Sequence, residues 1–398
     1  MSKYNFDEVI DRINTNSLKY DFAVKRGMPA DILPLWVADM DFRTPYEVTE
    51  AIVKKAQHGI FGYSVPFEDY FEALEKWFSK HFGWKPYRNK FVLSCSVVFS
   101  ICNIIDTMTE VGDAIIINQP VYYPFSEAIT DNGRKLVNSN LVYRDNRYAI
   151  DFDDFEQKIR ENKVKLYILS NPHNPVGRVW SRDELEKISE ICIRNDVFVI
   201  SDEIHADFIF SGHNFISYAS LGEKALERAA ICTAPSKTFN LAGLHNANTY
   251  IANDGIRKKY LVNQNKKGYA QSNIMGIVAC QAAYTYGEEW HRELIAYLEE
   301  NLDFIRDYLH AKIPQIKLVE TDGTYLVWLD CSGLGLSDEK LNELIVYKAK
   351  LWLDAGNIFG EVGKQFERVN IACPRSILEQ ALNQLYHALK KEKVIKQI

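Results

Sequence analysis

Short apolar runs alternate with amphipathic stretches through the middle of the chain. DAIIIN (113–118), KLYILS (165–170), VFVIS (197–201), AAICT (229–233) and ANTYIA (247–252) have the length and apolar content of buried strands. Helical patterns lie between them. One begins at Pro124. Another is SRDELEKISEICIRN (181–195), where Ser181 stands as N-cap and Glu184 follows three residues on, the signature of a capping box. Strands that alternate with helices predict an α/β fold whose parallel strands are covered on both faces. Upstream, FVLSCSVVFSICNII (91–105) reads as a strand, a turn and a helix start. In EDYFEALEKWFSKHF (68–82), helical spacing gathers Phe71, Leu74, Trp77 and Phe78 on one side.

The C-terminal part has a different pattern. EEWHRELIAYLEENLDFIRDYLHAKI (288–313) is a long amphipathic helix stopped by Pro314. GTYLVWLD, a helix near 338–350, FERVNIA and a final helix from about 375 follow it, which suggests a smaller α+β unit. The first 45 residues contain no strong strand–helix unit and are grouped with it. The expected division is therefore 46–286 for a large domain, with 1–45 and 287–398 forming a small one.

Composition narrows the function classes. Of 398 residues, 47% are apolar and 25% charged, as in ordinary globular enzymes. A net charge of −6 argues against a nucleic-acid binder, and the basic tail KKEKVIKQI reads as a solvated helix end. The seven scattered cysteines form no C-x-x-C pair, which disfavours a disulfide framework or a zinc site, and no metal is expected. MSKYNFDEVIDRINTNS has no signal-peptide core, and no run approaches the roughly 18 apolar residues of a membrane span. A cytoplasmic protein with no membrane partner is the expectation.

Candidate chemistry sits at strand ends. NPHNPVG (171–177) follows KLYILS directly, and in open α/β sheets ligands bind outside the carboxyl ends of the strands. Asn174 there is either a ligand donor or a turn residue bonded to its own backbone. Asp202 and Glu203 follow VFVIS and read as ligand contacts, as a helix cap or as solvated acids. Lys237 lies among small and apolar residues in APSKTFNLAG, after AAICT. It is either a surface lysine or an amine whose protonation is weakened by burial, fit to form a Schiff base. An amide, a carboxylate and an amine thus follow three strands in order.

NPHNPVG, SDEIH and PSKTFNLAG, in that order and spacing, resemble the motifs of pyridoxal-phosphate enzymes of aspartate-aminotransferase fold, fold type I. Within that group LPLWVADMDF (33–42), FGYSVP (61–66), QPVYYPF (119–125) and RVNIACPRS (368–376) resemble the MalY/PatB-like cystathionine β-lyase branch, which are carbon–sulfur lyases. The likeness covers nearly the whole chain and implies a mostly parallel seven-stranded sheet plus a smaller α+β domain. It implies pyridoxal 5'-phosphate as cofactor and Lys237 as the lysine that holds it and moves the substrate's Cα proton. Asp202 is implied to pair with the ring N–H, Asn174 to bond the ring's phenolic oxygen and Tyr122 to stack on the ring. The backbone N–H groups of Ser96, Val97 and Val98 are implied to hold the phosphate at a helix start. Arg368 is implied to clamp the substrate carboxylate through its planar fork. Trp36, Val37 and Ala38 would line the substrate pocket. Tyr63 is implied to reach the phosphate of the neighbouring subunit in a homodimer with shared sites.

Several positions depart from the pattern. Ser96 stands where relatives usually carry glycine, and Phe99 where many carry proline. His205 replaces a tyrosine three residues after the ring aspartate, as in the lyase branch. His245 replaces an arginine eight residues after Lys237, a weaker phosphate partner for which Ser236 could compensate. The resemblance implies β-elimination from cystathionine, cysteine or a cysteine conjugate, with pyruvate, ammonia and a thiol as products. An aminotransferase would use the same Lys237, Asp202 and Arg368. A regulatory protein that kept the fold is the third reading, disfavoured by retention of Lys237, Asp202, Asn174 and Arg368 together.

Overall fold

The computed structural model describes residues 3–269 and 271–395. The outermost residues of the N-terminal segment (1–2) and of the basic tail (396–398) lie outside the described residues; the final helix itself runs Arg375–Lys391.

A seven-stranded sheet organises the larger part of the chain. Its order across the sheet is Phe91–Ser94, Ala247–Ile251, Ala229–Thr233, Phe198–Asp202, Leu166–Ser170, Ala114–Ile117 and Lys135–Asn138. The five sequence-predicted strands are all present. Four of the six pairings are parallel, and Ala247–Ile251 alone runs against its neighbours on both sides. Every residue of Ala114–Ile117, Leu166–Ser170, Phe198–Asp202 and Ala229–Thr233 is buried, as expected where both faces are covered. The edge strand Lys135–Asn138 and the hairpin Leu141–Arg144/Arg147–Ile150 carry no continuous apolar run and were not anticipated.

The helices form where their caps allow. Ser181 accepts from the Glu184 N–H at 3.2 Å and Glu184 returns the bond to the Ser181 N–H at 2.8 Å, so the capping box is complete on Arg182–Arg194. Glu68–His81 buries Leu74, Trp77 and Phe78 as predicted, with Tyr70 and Ala73 beside them. The helix expected near 338–350 is shorter: Asp338–Glu343 is α-helical, and Leu344–Lys348 widens into a π turn.

A second sheet, antiparallel throughout, joins Lys317–Leu318, Leu326–Asp330, Phe366–Asn370 and Asp354–Ala355 in that order. The long helix Glu288–Lys312 and the terminal helix pack together beside it. Leu33–Pro34 pairs in parallel with Leu351–Trp352. That pairing carries the following residues, Leu35 to Asp41, across the carboxyl ends of the large sheet.

Candidate active site

Strand register brings three chemical groups to one edge. Ser170 lies opposite Asp202, and Asp202 opposite Cys232, so adjacent strands end at the same level. Asn174 follows the first strand, Asp202 closes the second, and Lys237 follows the third. A cavity of about 200 Å³ opens there, lined among others by Ser96, Tyr122, Asn174, Asp202, His205 and Lys237. Val97, Val98, Ser236, Ala38 and His245 also line it.

Lys237 sits on the short turn of helix Pro235–Thr238. Its Nζ donates to the Ala38 carbonyl at 2.7 Å. Burial lowers its pKa to about 8, with Asp39 and Asp202 opposing the shift and Arg368 adding to it. The lysine is therefore the desolvated amine rather than a surface side chain.

Asp202 is 6% exposed and accepts from the Ile204 N–H at 3.1 Å. Burial pushes its carboxyl up to about 7, against the pull of that N–H and of Lys237. Among the described residues no cation is bonded to it. Glu203 faces the other way and is saturated: Ser201, Ser217 and the Tyr218 N–H all donate to it. The adjacent acids thus divide, one toward the cavity and one into the fold, as alternation along a strand requires.

His205 is buried with its Nδ1 unpartnered and its ring edge-on to Tyr325, centroids 6.0 Å apart. Burial, Lys237 and Arg368 together drive its pKa well below the ordinary value, so the ring is neutral. Tyr122 is half-buried, its N–H donating to the Asn174 carbonyl at 3.0 Å.

At the opposite side of the cavity, Ser96 caps helix Val97–Met108 by accepting from the Phe99 N–H at 3.0 Å. The departure from glycine is thereby explained locally: the hydroxyl serves as an N-cap. The first N–H groups of a helix have no intrahelical partner, which leaves those of Val97 and Val98 facing the cavity. Among the described residues no arginine lines the cavity, and His245 does.

Arg368 lies 3% exposed on Phe366–Asn370. Nη1 donates to Asn174 Oδ1 at 3.1 Å, and Nη2 donates to the Trp36 carbonyl at 2.9 Å and to Asp354. Asp354 and Tyr325 were not anticipated. Nothing in LWLDAGN or GTYLVW marks either residue as a site partner; only the sheet pairing Asp354 with Arg368, and the Tyr325 hydroxyl donating to the Ala38 carbonyl at 2.9 Å, reveal them.

One expectation needs correction. Of Trp36, Val37 and Ala38, only Ala38 lines the cavity. The Trp36 ring stacks on Trp352 at 4.3 Å, because the pairing of Leu33–Pro34 with Leu351–Trp352 brings the two indoles together. The segment reaches the site through its carbonyls. Tyr63, expected to serve the neighbouring subunit, does not line the Lys237 cavity of its own chain. It is 94% exposed and borders a separate groove of about 830 Å³, which shares Cys95 and His245 with the cavity.

A profile of the family described as aminotransferase class I and II matches residues 30–385. The chain belongs to that family. It is 38% identical to cystathionine beta-lyase PatB of Bacillus subtilis (strain 168), over 97% of this chain and 100% of PatB. Protein MalY of Escherichia coli (strain K12) is 32% identical over 97% of this chain and 99% of its own. The crystal structure of cystalysin from Treponema denticola, which contains a pyridoxal 5'-phosphate cofactor, superimposes with a TM-score of 0.95 at 34% identity. It covers 98% of this chain and 99% of cystalysin. The expected fold type I architecture is thus the one observed.

Proposed function

We propose that this protein is a pyridoxal-phosphate-dependent carbon–sulfur β-lyase that cleaves cystathionine or cysteine-type substrates to pyruvate, ammonia and a thiol. The reading is carried by one observation: a desolvated amine, a buried carboxylate without a bonded cation and an open helix start converge on one cavity, with an arginine bonded to Asn174 beside it. The similarity to PatB supports the same class.

The residues fit the cofactor. Asp202 is a buried acceptor with room for a cationic N–H, and such a partner would offset the burial that raises its pKa. The Val97 and Val98 N–H groups, with Ser96 and Ser236, suit a phosphate, and neutral His205 can sit against the ring without adding charge. Tyr122 and Asn174 complete the set that would hold the ring. When bound, pyridoxal phosphate supplies an electron sink for charge developing at the substrate's Cα.

The chain's own residues supply position and proton transfer. Arg368 holds the substrate carboxylate and fixes which bond at Cα faces Lys237. Lys237 Nζ would hold the cofactor, and as a neutral amine it would take the Cα proton. An amine with a pKa near 8 is neutral in a far larger fraction at neutral pH than an ordinary lysine at 10.5, which suits a base. The Ala38 carbonyl aims Nζ, and the Tyr325 hydroxyl steadies that carbonyl.

The proposal includes a cytoplasmic homodimer in which Tyr63 serves the neighbour's phosphate site. Its support is the exposed apolar stretch around it, with Ile60, Phe61, Val65 and Phe67. It also includes the division into 46–286 and a unit of 1–45 with 287–398, supported by the pairing of Leu33 with Leu351. Among the described residues no helix is long and apolar enough to cross a membrane. Steady-state assay with cystathionine, reading pyruvate, tests the function. Amino-group transfer to a keto acid without pyruvate release would replace it with an aminotransferase reading.

A further inference from the structure

Arg368 is not a bare cation. Asp354 lies opposite it in the antiparallel pairing of Asp354–Ala355 with Phe366–Asn370, so strand register fixes the contact. Both side chains are buried, Arg368 at 3% and Asp354 at 7% exposure. Arg368 stands over the Phe359 ring at 4.9 Å, and its Nε has no partner among the described residues. A guanidinium offers a carboxylate two two-point edges, Nε with Nη2 or Nη1 with Nη2. Both edges use Nη2, and Nη2 is the atom that Asp354 and the Trp36 carbonyl engage.

We propose that Asp354 is a positioning residue that acts through Arg368: it neutralises the guanidinium and so limits how tightly the site holds a carboxylate. The proposal rests on Arg368 being the carboxylate dock of the function proposed above. Its chemical sense lies in turnover. The amino-acid substrate and the pyruvate product both carry a carboxylate. A buried arginine with no counter-ion would bind either anion strongly, because in a desolvated site the charge is little screened. With Asp354 beside it, the arginine keeps its direction, and a leaving product is replaced by a resident anion rather than by nothing.

The other charged or titratable groups do not substitute for it. Asp202 and Lys237 belong to the cavity, His205 is neutral, and Tyr122 and Tyr123 are protonated phenols. Glu367 neighbours Arg368 in sequence, but burial raises its carboxyl to about 8, so at neutral pH it is largely uncharged. Asp354 is the acid bonded to Arg368; burial raises its carboxyl as well, but the guanidinium in contact with it, a partner Glu367 lacks, opposes that rise.

The test uses the holoenzyme and 3-(methylthio)propionate, which has a carboxylate and a thioether but no amine and therefore leaves Lys237 in place. Its primary amide is the uncharged control. Isothermal titration should show Asp354→Asn binding the carboxylate roughly tenfold more tightly than wild type, the order expected when one like charge beside the dock is removed. The amide should bind both proteins equally. In steady state the KM for cystathionine should fall in the variant while kcat/KM is not reduced, a split that general loosening of the fold would not give. Unchanged or weaker binding of the carboxylate overturns the proposal. Should Asp354→Asn not fold, Asp354→Ser is measured in the same way, and failure of both to fold makes Asp354 a structural residue and overturns it too. Arg368→Lys tests the underlying reading separately: if it binds the probe like wild type, Arg368 is not the dock.

Discussion

Replacing Asp202 with Asn should stabilise the cofactor-free protein at neutral pH while it cripples the enzyme. The reason is desolvation. Asp202 is 6% exposed, accepts one backbone N–H and has no bonded cation, and its carboxyl is pushed from 3.8 up to about 7. In the folded chain the carboxyl holds its proton more tightly than in the unfolded chain. Its contribution to stability is therefore fully present below pH 3.8 and is lost as pH rises through about 7. The whole interval corresponds to roughly 4 kcal/mol, and the part between pH 5 and 8 to roughly 2–3 kcal/mol. Asparagine, nearly the same shape, has no such slope. Glu203 and Glu367 tilt the pH dependence in the same direction, but in both proteins alike. Urea unfolding of the two cofactor-free proteins at pH 5 and pH 8 isolates the difference. The variant should gain on wild type by roughly 2–3 kcal/mol between those pH values, at constant m-value. With cofactor the order reverses in function: loss of the anion that pairs with the ring nitrogen should cost a factor of about 100 or more in kcat. Parallel stability curves, with no relative gain at pH 8, would refute the claim that burial raises the Asp202 carboxyl in the cofactor-free protein.

Lys237→Ala should abolish turnover and covalent attachment of the cofactor; borohydride trapping and peptide mapping check this, and a label on another lysine sinks the assignment. Tyr63→Phe subunits mixed with Lys237→Ala subunits should recover up to about a quarter of wild-type activity per subunit, because half of randomly paired dimers carry one intact site of two. No recovery despite proven subunit exchange would place Tyr63 in its own chain's chemistry. Gly177→Ala should destabilise the fold by roughly 2–4 kcal/mol in urea unfolding. Its φ is +70°, and a Cβ would stand 2.8 Å from Thr321 Cγ2. A change under ~0.5 kcal/mol would show that the NPHNPVG turn relaxes freely.

The strands that pack on both faces were legible because burial writes itself as an unbroken apolar run. Direction was not: nothing in ANTYI marks the reversal of Ala247–Ile251. KLVN was missed because an edge strand buries one residue of its four and needs no pattern. The same division runs through the site. Lys237, Asp202 and Asn174 were found because strand ends in an α/β sheet are where ligands go, and Arg368 through the family likeness. Asp354 was invisible because its meaning depends on a partner in another strand, supplied only by sheet register. The proposed phosphate site lay between these cases: Ser96 departed from the family pattern, and its hydroxyl is the cap of the helix that opens there.

The segment LWVAD carries the likeness most clearly, yet its side chains do little of the work at the cavity. The Trp36 carbonyl takes Arg368 and the Ala38 carbonyl takes Lys237, so one stretch of backbone holds both cations of the site. Asn370 donates to the carbonyls of Val37 and Asp39, at 2.7 and 2.6 Å, and Arg12 and Lys19 pin Asp39 and Asp41 from below. Lys19 is fully buried, and a buried ammonium is tolerated only with a partner such as Asp41. The charges of the N-terminal segment therefore serve to fix a backbone path. What the path sets is the separation between the Lys237 amine and the Arg368 fork, which under the proposed function must match one amino-acid substrate. Side chains along it can vary where the carbonyls keep their places, and an inserted residue cannot be absorbed.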